Sequence, residues 1–351
     1  MDEGTRRQVA VWLLACCTLL FTMIVIGGIT RLTRSGLSIV EWQPIIGTLP
    51  PLDEAQWMAT FEKYKLTPEY KQVNFGMSLE AFKGIFWWEY LHRLLGRLIG
   101  LVFFVPYLWF LLRKRLDTRH AIKLGAVFML GGLQGAMGWY MVKSGLVDDP
   151  KVSHFRLTAH LGLAFLIFAC MLWIALDMLK PRLAVRPSAY LHKLGRFASA
   201  TMVLVFVMIL SGGLVAGIRA GYAYNTFPLM NGHFVPPEIM LIEPWYRNFF
   251  YNMATVQFDH RLIAWMLVLI VPALWIASRH GDLSSRARIA ASVMVCALGM
   301  QFALGVATVL MRVPVVLGTM HQGGAVLFFA AVIWFAHEVM RPVARAGSRL
   351  G

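Results

Sequence analysis

The chain alternates long apolar runs with polar connections. Eight of these runs reach the roughly 20 residues that an α-helix needs to cross a bilayer. They lie near residues 9–29, 85–112, 122–142, 157–179, 197–218, 253–278, 289–311 and 315–337. This pattern predicts an all-α integral membrane protein with eight transmembrane helices.

The longest connection, residues 30–84, contains six acidic and six basic residues, so its charges balance. Within it Trp57, Met58, Phe61 and Tyr64 recur at helical spacing. Connections of this length are uncommon without structure of their own. We therefore expect this one to fold back onto the outer surface.

The second half of the chain repeats the first, residue by residue. Four sets recur at fixed offsets: Gly27, Gly28, Arg34 and Gly36 after 185 positions, His92, Arg93 and Leu94 after 168, Gly132, Gln134 and Gly138 after 167, and His160 with Gly162 after 161. Each repeat has four spans, an even number, so both halves have the same orientation. We predict two tandem, parallel four-helix-bundle repeats, residues 1–180 and 181–351.

Composition and charge fit a protein surrounded by lipid. The chain is 58% hydrophobic and only 15% charged, with a net charge of +15. These values exclude disordered, collagen-like and disulfide-scaffold classes, and a basic balance on such an apolar chain indicates a membrane surface, not nucleic acid. The four cysteines all lie in apolar runs without a CxxC pair, which argues against a zinc or iron–sulfur site.

Lysines and arginines in short connections predict the orientation. They concentrate at the N-terminus, after spans 2, 4 and 6, and after span 8: Arg6, Arg7, Arg113, Lys114, Arg115, Arg119, Lys123, Lys180, Arg182, Arg186, Lys193, Arg196, Arg279, Arg286, Arg288, Arg341, Arg345 and Arg349. This side is therefore the cytoplasmic one and includes both termini. Asp2 and Glu3 do not suit a mitochondrial transit peptide, so we expect a bacterial inner membrane.

Four histidines, His92, His160, His260 and His321, occupy equivalent repeat positions in even-numbered spans, all near the outer face. An ionisable group inside a membrane is costly unless it is paired, lines a cavity or binds a ligand. Interhelical hydrogen bonds are the simpler alternative. Two imidazoles per four-helix half fit the axial ligands of one haem iron, and zinc would need further ligands.

Charged residues beside these histidines extend the hypothesis. Arg93, Arg97 and Arg261 follow them and would pair with haem propionates, with interfacial snorkelling as the alternative. Glu89 lies three residues before His92, where the other half has Gln257. A carboxylate can exchange protons or stabilise positive charge, whereas an amide cannot exchange protons in that way. One half therefore looks reactive, although a structural salt bridge to Arg93 would also explain Glu89.

Longer motifs give a resemblance to a known family. Gly27-Gly-Ile-Thr-Arg-Leu-Thr-Arg-Ser-Gly-Leu-Ser38, Glu41-Trp-Gln-Pro44, Gly47-Thr-Leu-Pro-Pro51, Phe86-Trp-Trp-Glu-Tyr-Leu-His-Arg93 and Asn225-Thr-Phe-Pro-Leu-Met230 resemble the haem A synthases of bacterial inner membranes and mitochondria. The resemblance covers nearly the whole chain. The first outer loop lacks the cysteine pair of part of the family, so the chain is similar to the proteobacterial and mitochondrial branch.

The resemblance implies oxidation of a ring methyl of haem o to a formyl group through a hydroxymethyl intermediate, giving haem a for cytochrome oxidase. It places Glu89, His92 and His160 at the substrate haem and makes His260 and His321 the iron ligands of haem b. Contacts with haem o synthase and oxidase assembly factors are expected from the pathway alone. The electron donor, the source of the formyl oxygen and a homo-oligomeric state stay open.

Two other classes of protein compete with this interpretation. A bis-His haem b electron carrier, such as a quinol-linked cytochrome, usually stacks haems at two depths, whereas these histidines share one. A secondary transporter also uses repeats of spans, but its sites lie near the membrane midplane.

Overall fold

The computed structural model describes residues 1–42, 46–147, 149–180, 188–281 and 283–341. Pro44 of the family motif and the start of the second predicted repeat, at residue 181, lie outside the described residues. So do four arginines of the orientation argument, Arg182, Arg186, Arg345 and Arg349.

The described residues form helices and connections without a β-strand. In chain order the helices are α1 (Glu3–Leu32), α2 (Glu54–Lys65), α3 (Pro68–Gln72), α4 (Leu79–Leu112), α5 (Thr118–Lys143), α6 (His154–Leu179), α7 (Ala189–Gly217), α8 (Asn248–Tyr251), α9 (Met253–Ala277), α10 (Ser285–Leu310) and α11 (Val315–Met340). Eight of them, all except α2, α3 and α8, are long and apolar enough to cross a membrane. The eight predicted spans are confirmed.

Several long helices begin before their apolar runs because a polar side chain caps them. Ser78, Asp117, Ser188 and Ser284 each accept a hydrogen bond from the backbone N–H three residues later. Such a cap satisfies a backbone donor that has no partner inside the helix. The helix can therefore extend into the polar sequence that precedes the apolar run.

The chain divides into two compact units. Unit one comprises residues 1–17 and 165–351, and unit two comprises residues 18–164. The division falls inside α1 and α6. The repeat halves 1–180 and 181–351 remain a prediction.

In unit two, the connection after α1 packs onto the start of α4. Asp53 caps α2, and Phe61 and Tyr64 of α2 are buried beside Phe82 and Phe86 of α4. The helical spacing seen in the sequence is therefore confirmed, although Met58 is exposed. Burial of four aromatic side chains gives this connection a core of its own.

In unit one, α7 packs against α9 and α11, and α10 packs against the same two helices, so the four form a closed ring of neighbours. The second half of α11 is almost wholly buried. This ring positions the histidines of the C-terminal half.

Unit one also contains a cluster of charges where α6 and α11 end. His337, fully buried, lies 3.0 Å from an oxygen of Asp177. Lys180 lies 2.9 Å from Glu338, and Arg6 donates to the carbonyl oxygens of Asp177 and Lys180. Burial lowers the pKa of the Lys180 ammonium, which Glu338 opposes. The sequence analysis did not identify this cluster, because its members lie far apart in the chain.

Candidate functional site

Unit two brings His92 of α4 and His160 of α6 together. Both residues belong to the same compact unit, residues 18–164. Each ring also faces a glycine of a neighbouring helix: a Cβ built on Gly27 would lie 3.1 Å from Nε2 of His92, and one on Gly138 would lie 3.1 Å from Cε1 of His160. The missing side chains leave the space that the imidazoles occupy.

Unit one repeats this arrangement with His260 of α9 and His321 of α11. A Cβ on Gly212 would lie 3.3 Å from Cε1 of His260, and a Cβ on Gly305 would lie 2.9 Å from Cε1 of His321. Each unit thus contains two of the four histidines, and their pairing at one haem stays a prediction.

A glutamine approaches the second histidine of each pair. Nε2 of Gln134 donates to the carbonyl oxygen of His160 at 3.0 Å, and Nε2 of Gln301 does the same to His321 at 3.0 Å. Among the described residues, Oε1 of both glutamines and Nδ1 of both histidines are buried without a hydrogen-bond partner. Buried polar atoms of this kind usually have a partner, so both sites have room for hydrogen bonding to a ligand or water.

Glu89 is the most strongly bonded side chain near His92. It is 2% exposed. Its Oε2 accepts from the Ser38 hydroxyl at 2.7 Å and from the Ile39 N–H at 2.8 Å, and its Oε1 lies 2.6 Å from Arg93. Three donors around one carboxylate hold both of its oxygens in a fixed orientation. The salt bridge that the sequence left as an alternative is present, but it is one of three bonds.

Gln257 occupies the corresponding place in unit one with a different set of bonds. Its Nε2 donates to the carbonyl oxygen of Tyr224 at 3.1 Å, and its buried Oε1 has no partner among the described residues. The repeat offset that pairs Gly27 with Gly212 pairs Ser38 with Ala223, so the hydroxyl is missing as well. Carboxylate and serine occur together in one half, and amide and alanine in the other.

Arg93 and Arg261, at equivalent positions of the two repeats, each donate hydrogen bonds to the connection that precedes their helix. Arg93 donates to the carbonyl oxygens of Ile39 at 2.8 Å and Glu41 at 3.1 Å. Arg261 donates to those of Tyr224 at 3.0 Å and Thr226 at 2.9 Å, which are the corresponding positions of the repeat. Both arginines therefore have defined positions beside their histidines. That these arginines bind haem propionates stays a prediction.

Tyr224 has a second bond that fixes this connection. Its hydroxyl donates to Glu238 at 2.6 Å. Burial raises the pKa of Tyr224 to about 12, and the bond from Tyr224 lowers the pKa of Glu238. At neutral pH the phenol therefore stays a donor and the carboxylate an acceptor.

Arg97, partly buried on α4, is the remaining predicted arginine and lies four residues after Arg93.

Two serines next to the site residues had no role in the sequence analysis. Ser38 closes the first family motif and bonds to Glu89. Ser211 lies directly before Gly212, and its Oγ is 2.8 Å from Nδ1 of His260. In the second repeat, Ala223 stands where the first has Ser38, and Gln257 stands where the first has Glu89. This paired difference could have identified Ser38 from the sequence.

The donor set suits a haem iron better than a free metal ion. The described residues contain no group of three or more His, Cys, Asp or Glu side chains placed to hold a metal ion, and all four cysteines are free. Each unit instead contains two imidazoles, and a glycine leaves space for each ring. An arginine directly follows the first histidine of each unit in the sequence. Haem takes imidazole ligands and needs cations for its propionates, so these residues fit the group.

Comparisons with known proteins agree with this chemistry. A family model described as cytochrome oxidase assembly protein matches residues 10–333. A haem A synthase of Nitrosospira multiformis is 59% identical over 338 residues, covering 96% of this chain and 95% of its own. Haem A synthases of Nitrosomonas eutropha, 55% identical over 341 residues (96% of each chain), and Rhodospirillum centenum, 49% identical over 342 residues (97% and 90%), are similar over the same length.

Proposed function

Since the chain belongs to the cytochrome oxidase assembly protein family, we propose that it oxidises haem o to haem a at a site in its N-terminal half. The activity is that of the haem A synthases, an oxidoreductase reaction of haem biosynthesis performed by a multi-pass membrane protein. The observation that best supports the placement is the difference between the two histidine pairs. One has the carboxyl group of Glu89 beside it, and the other has the amide of Gln257.

The substrate haem would be held by His92 and His160. Gly27 and Gly138 leave space for their rings, and the free Nδ1 of His160 is available to a ligand or water. The farnesyl tail of haem o would remain in the lipid, which serves as the route of entry. Arg93 and Arg97 would supply the positive charge that the propionates require.

Glu89 would stabilise charge at the reacting carbon. Oxidation of a methyl to a formyl group, through the hydroxymethyl stage, makes this carbon electron-poor and releases protons. A carboxylate fixed by Ser38, Ile39 and Arg93 presents negative charge without reorganising. Because both carboxylate oxygens are already bonded, we propose charge stabilisation and not proton transfer as the role of Glu89.

The C-terminal pair, His260 and His321, would bind haem b, with Arg261 beside its propionates. When bound, haem b supplies one-electron transfer. Gln257 is uncharged and bonds to the Tyr224 carbonyl oxygen, so no carboxylate stands at the place where Glu89 stands in the other half. A site without this charge suits an electron-transfer role more than a reaction at the porphyrin ring.

The remaining proposals concern the whole protein. We place it in a bacterial inner membrane, as two tandem, parallel four-helix repeats with both termini in the cytoplasm. The equivalent bonds of Arg93 and Arg261 to their connections support the repeat. Haem o synthase and oxidase assembly factors would be partners in supply and delivery of haem.

Extraction of the bound haems tests the function. The protein is purified from cells that also make haem o, and each haem is identified by chromatography and mass. Haem o, its hydroxylated form or haem a beside haem b supports the synthase. Two molecules of haem b per chain would instead indicate an electron carrier, and the absence of haem would contradict all four ligand assignments.

Glu89→Gln tests the role of the carboxylate in the same assay. We expect haem to remain bound and formyl product to fall at least tenfold, because the negative charge is lost. Ser38→Ala should lower product in the same direction by removing one bond to Glu89. Ser35→Ala is the matched control, since that buried hydroxyl bonds to Thr33 instead. Unchanged haem a output from Glu89→Gln would remove Glu89 from the mechanism.

A further inference from the structure

Ser211 contacts a histidine of the C-terminal pair at the nitrogen that faces away from the proposed iron. Its Oγ lies 2.8 Å from Nδ1 of His260. The serine is on α7 and precedes Gly212, the glycine that leaves space for the same ring. One short stretch of α7 therefore limits both the position and the rotation of the imidazole.

The second bond of Ser211 determines the direction of the first. The same Oγ lies 2.8 Å from the carbonyl oxygen of Met208, an atom that can only accept. A serine hydroxyl has a single hydrogen, and this one is donated to Met208. The oxygen therefore accepts from Nδ1–H of His260, so Nε2 has the free lone pair that an iron ligand requires.

The other three histidines lack this contact. The repeat offset of 185 places Ile26 where Ser211 stands, and an isoleucine has no group that can accept a hydrogen bond. Nδ1 of His160 and of His321 is buried without a partner among the described residues. Among the described residues, His260 is thus the one of the four whose Nδ1 contacts a side-chain oxygen, whereas the ring of His160 is approached at Nε2, by Nε2 of Gln134 at 3.5 Å.

We propose that Ser211 is a positioning residue that makes the C-terminal haem the permanently retained one and lowers its reduction potential. The inference rests on the proposed binding of haem b by His260 and His321. A hydrogen bond from Nδ1–H makes the imidazole a stronger donor to iron, which favours ferric haem and slows its loss. The N-terminal pair, which must release a product, has no equivalent bond.

Ser211→Ala in the full-length protein tests the proposal. Haem loss is followed by transfer to apomyoglobin, and the potential of haem b by redox titration. We expect haem b to dissociate about ten to a hundred times faster, its potential to rise, and its electron paramagnetic resonance spectrum to shift. Ser211→Thr keeps the hydroxyl and should restore all three values towards those of the unsubstituted protein.

The matched control is Ser199→Ala, on the same helix. Its hydroxyl also donates to a backbone carbonyl oxygen, that of Gly195 at 2.9 Å, and its other neighbour is the sulfur of Met340 at 3.1 Å and not a histidine. The converse variant, Ile26→Ser, should slow release of the N-terminal haem.

The outcomes separate the two proposals. If Ser211→Ala binds haem b with unchanged potential and unchanged rate of loss, the role of Ser211 is wrong while the function stands. If His260→Ala keeps haem b, the ligand assignment itself is wrong. A rate increase that Ser199→Ala shares would show a general effect of α7 and would also overturn the role of Ser211.

Discussion

The contact between each histidine and a glycine decides where the imidazoles can lie. In all four cases a single added methyl group would approach a ring atom to within 3.3 Å or less. Both the ring and the helix backbone are parts of packed spans, so neither can move freely. Glycine at these positions is therefore a requirement of the histidine site as much as of helix packing.

Gly305→Ala should displace His321, because the new Cβ would lie 2.9 Å from Cε1. Overpacking of this kind costs about 1–3 kcal/mol. We expect a clear loss of the C-terminal haem in the absorption spectrum of the purified protein. Gly299→Ala on the same helix is the control, since nothing lies within 4 Å of its Cβ. Equal haem loss in both variants would contradict the packing argument.

The histidines, Glu89 and the arginines could be predicted from the sequence because repeat-matched polar residues stand out in apolar runs. Ser38 and Ser211 could not be assigned in this way. A serine is common in membrane helices and their ends, and its role depends on which atom lies 2.7 or 2.8 Å away. Spacing along the chain contains no information on that distance.

At the scale of elements, the eight spans followed directly from hydropathy, since an apolar run of about 20 residues crosses a bilayer as an α-helix, which satisfies its own backbone hydrogen bonds. The contact between the ends of α6 and α11 could not be predicted from hydropathy. Asp177 and Lys180 meet His337 and Glu338 in a buried cluster that the sequence analysis did not predict. Such a contact depends on which helix ends become neighbours in the fold. The sequence of either end does not reveal its partner.

Lys180→Met should destabilise unit one. It removes the 2.9 Å partner of Glu338, which is 5% exposed, and leaves only Arg286 at 3.6 Å. Loss of one member of a buried ion pair costs about 3–5 kcal/mol. Thermal unfolding in detergent measures the effect.

Two further variants define that experiment. Lys193→Met removes an exposed lysine and should leave the midpoint unchanged. Adding Glu338→Leu to Lys180→Met should recover most of the loss, because no buried charge then lacks its partner. If the double variant is as unstable as Lys180→Met, the unpaired carboxylate is not the cause.

At the scale of the molecule, each histidine pair lies within a single compact unit, His92 and His160 in unit two and His260 and His321 in unit one. A pair inside one unit can bind its haem without residues of the other. The repeat offsets place the same two histidines in each half, and their role as haem ligands stays a prediction. The unit boundaries inside α1 and α6 depend on packing that no periodicity reports.

The two sites should therefore lose their haems separately. His260→Ala is expected to lose haem b and keep the N-terminal haem, and His92→Ala is expected to do the reverse. Haem composition per chain, measured after extraction, distinguishes these results. Loss of both haems in either single variant would show that the sites depend on each other.

The discontinuous make-up of unit one has a consequence for synthesis. Residues 1–17 are made before the other residues of unit one, which also contains α11, the described helix that is made last. Unit two, residues 18–164, is available for folding much earlier. Until α11 arrives, Asp177 and Lys180 lie at a helix end without His337 and Glu338. Without α11 the chain lacks both of these partners, so this helix completes a cluster to which Arg6 of α1 also contributes.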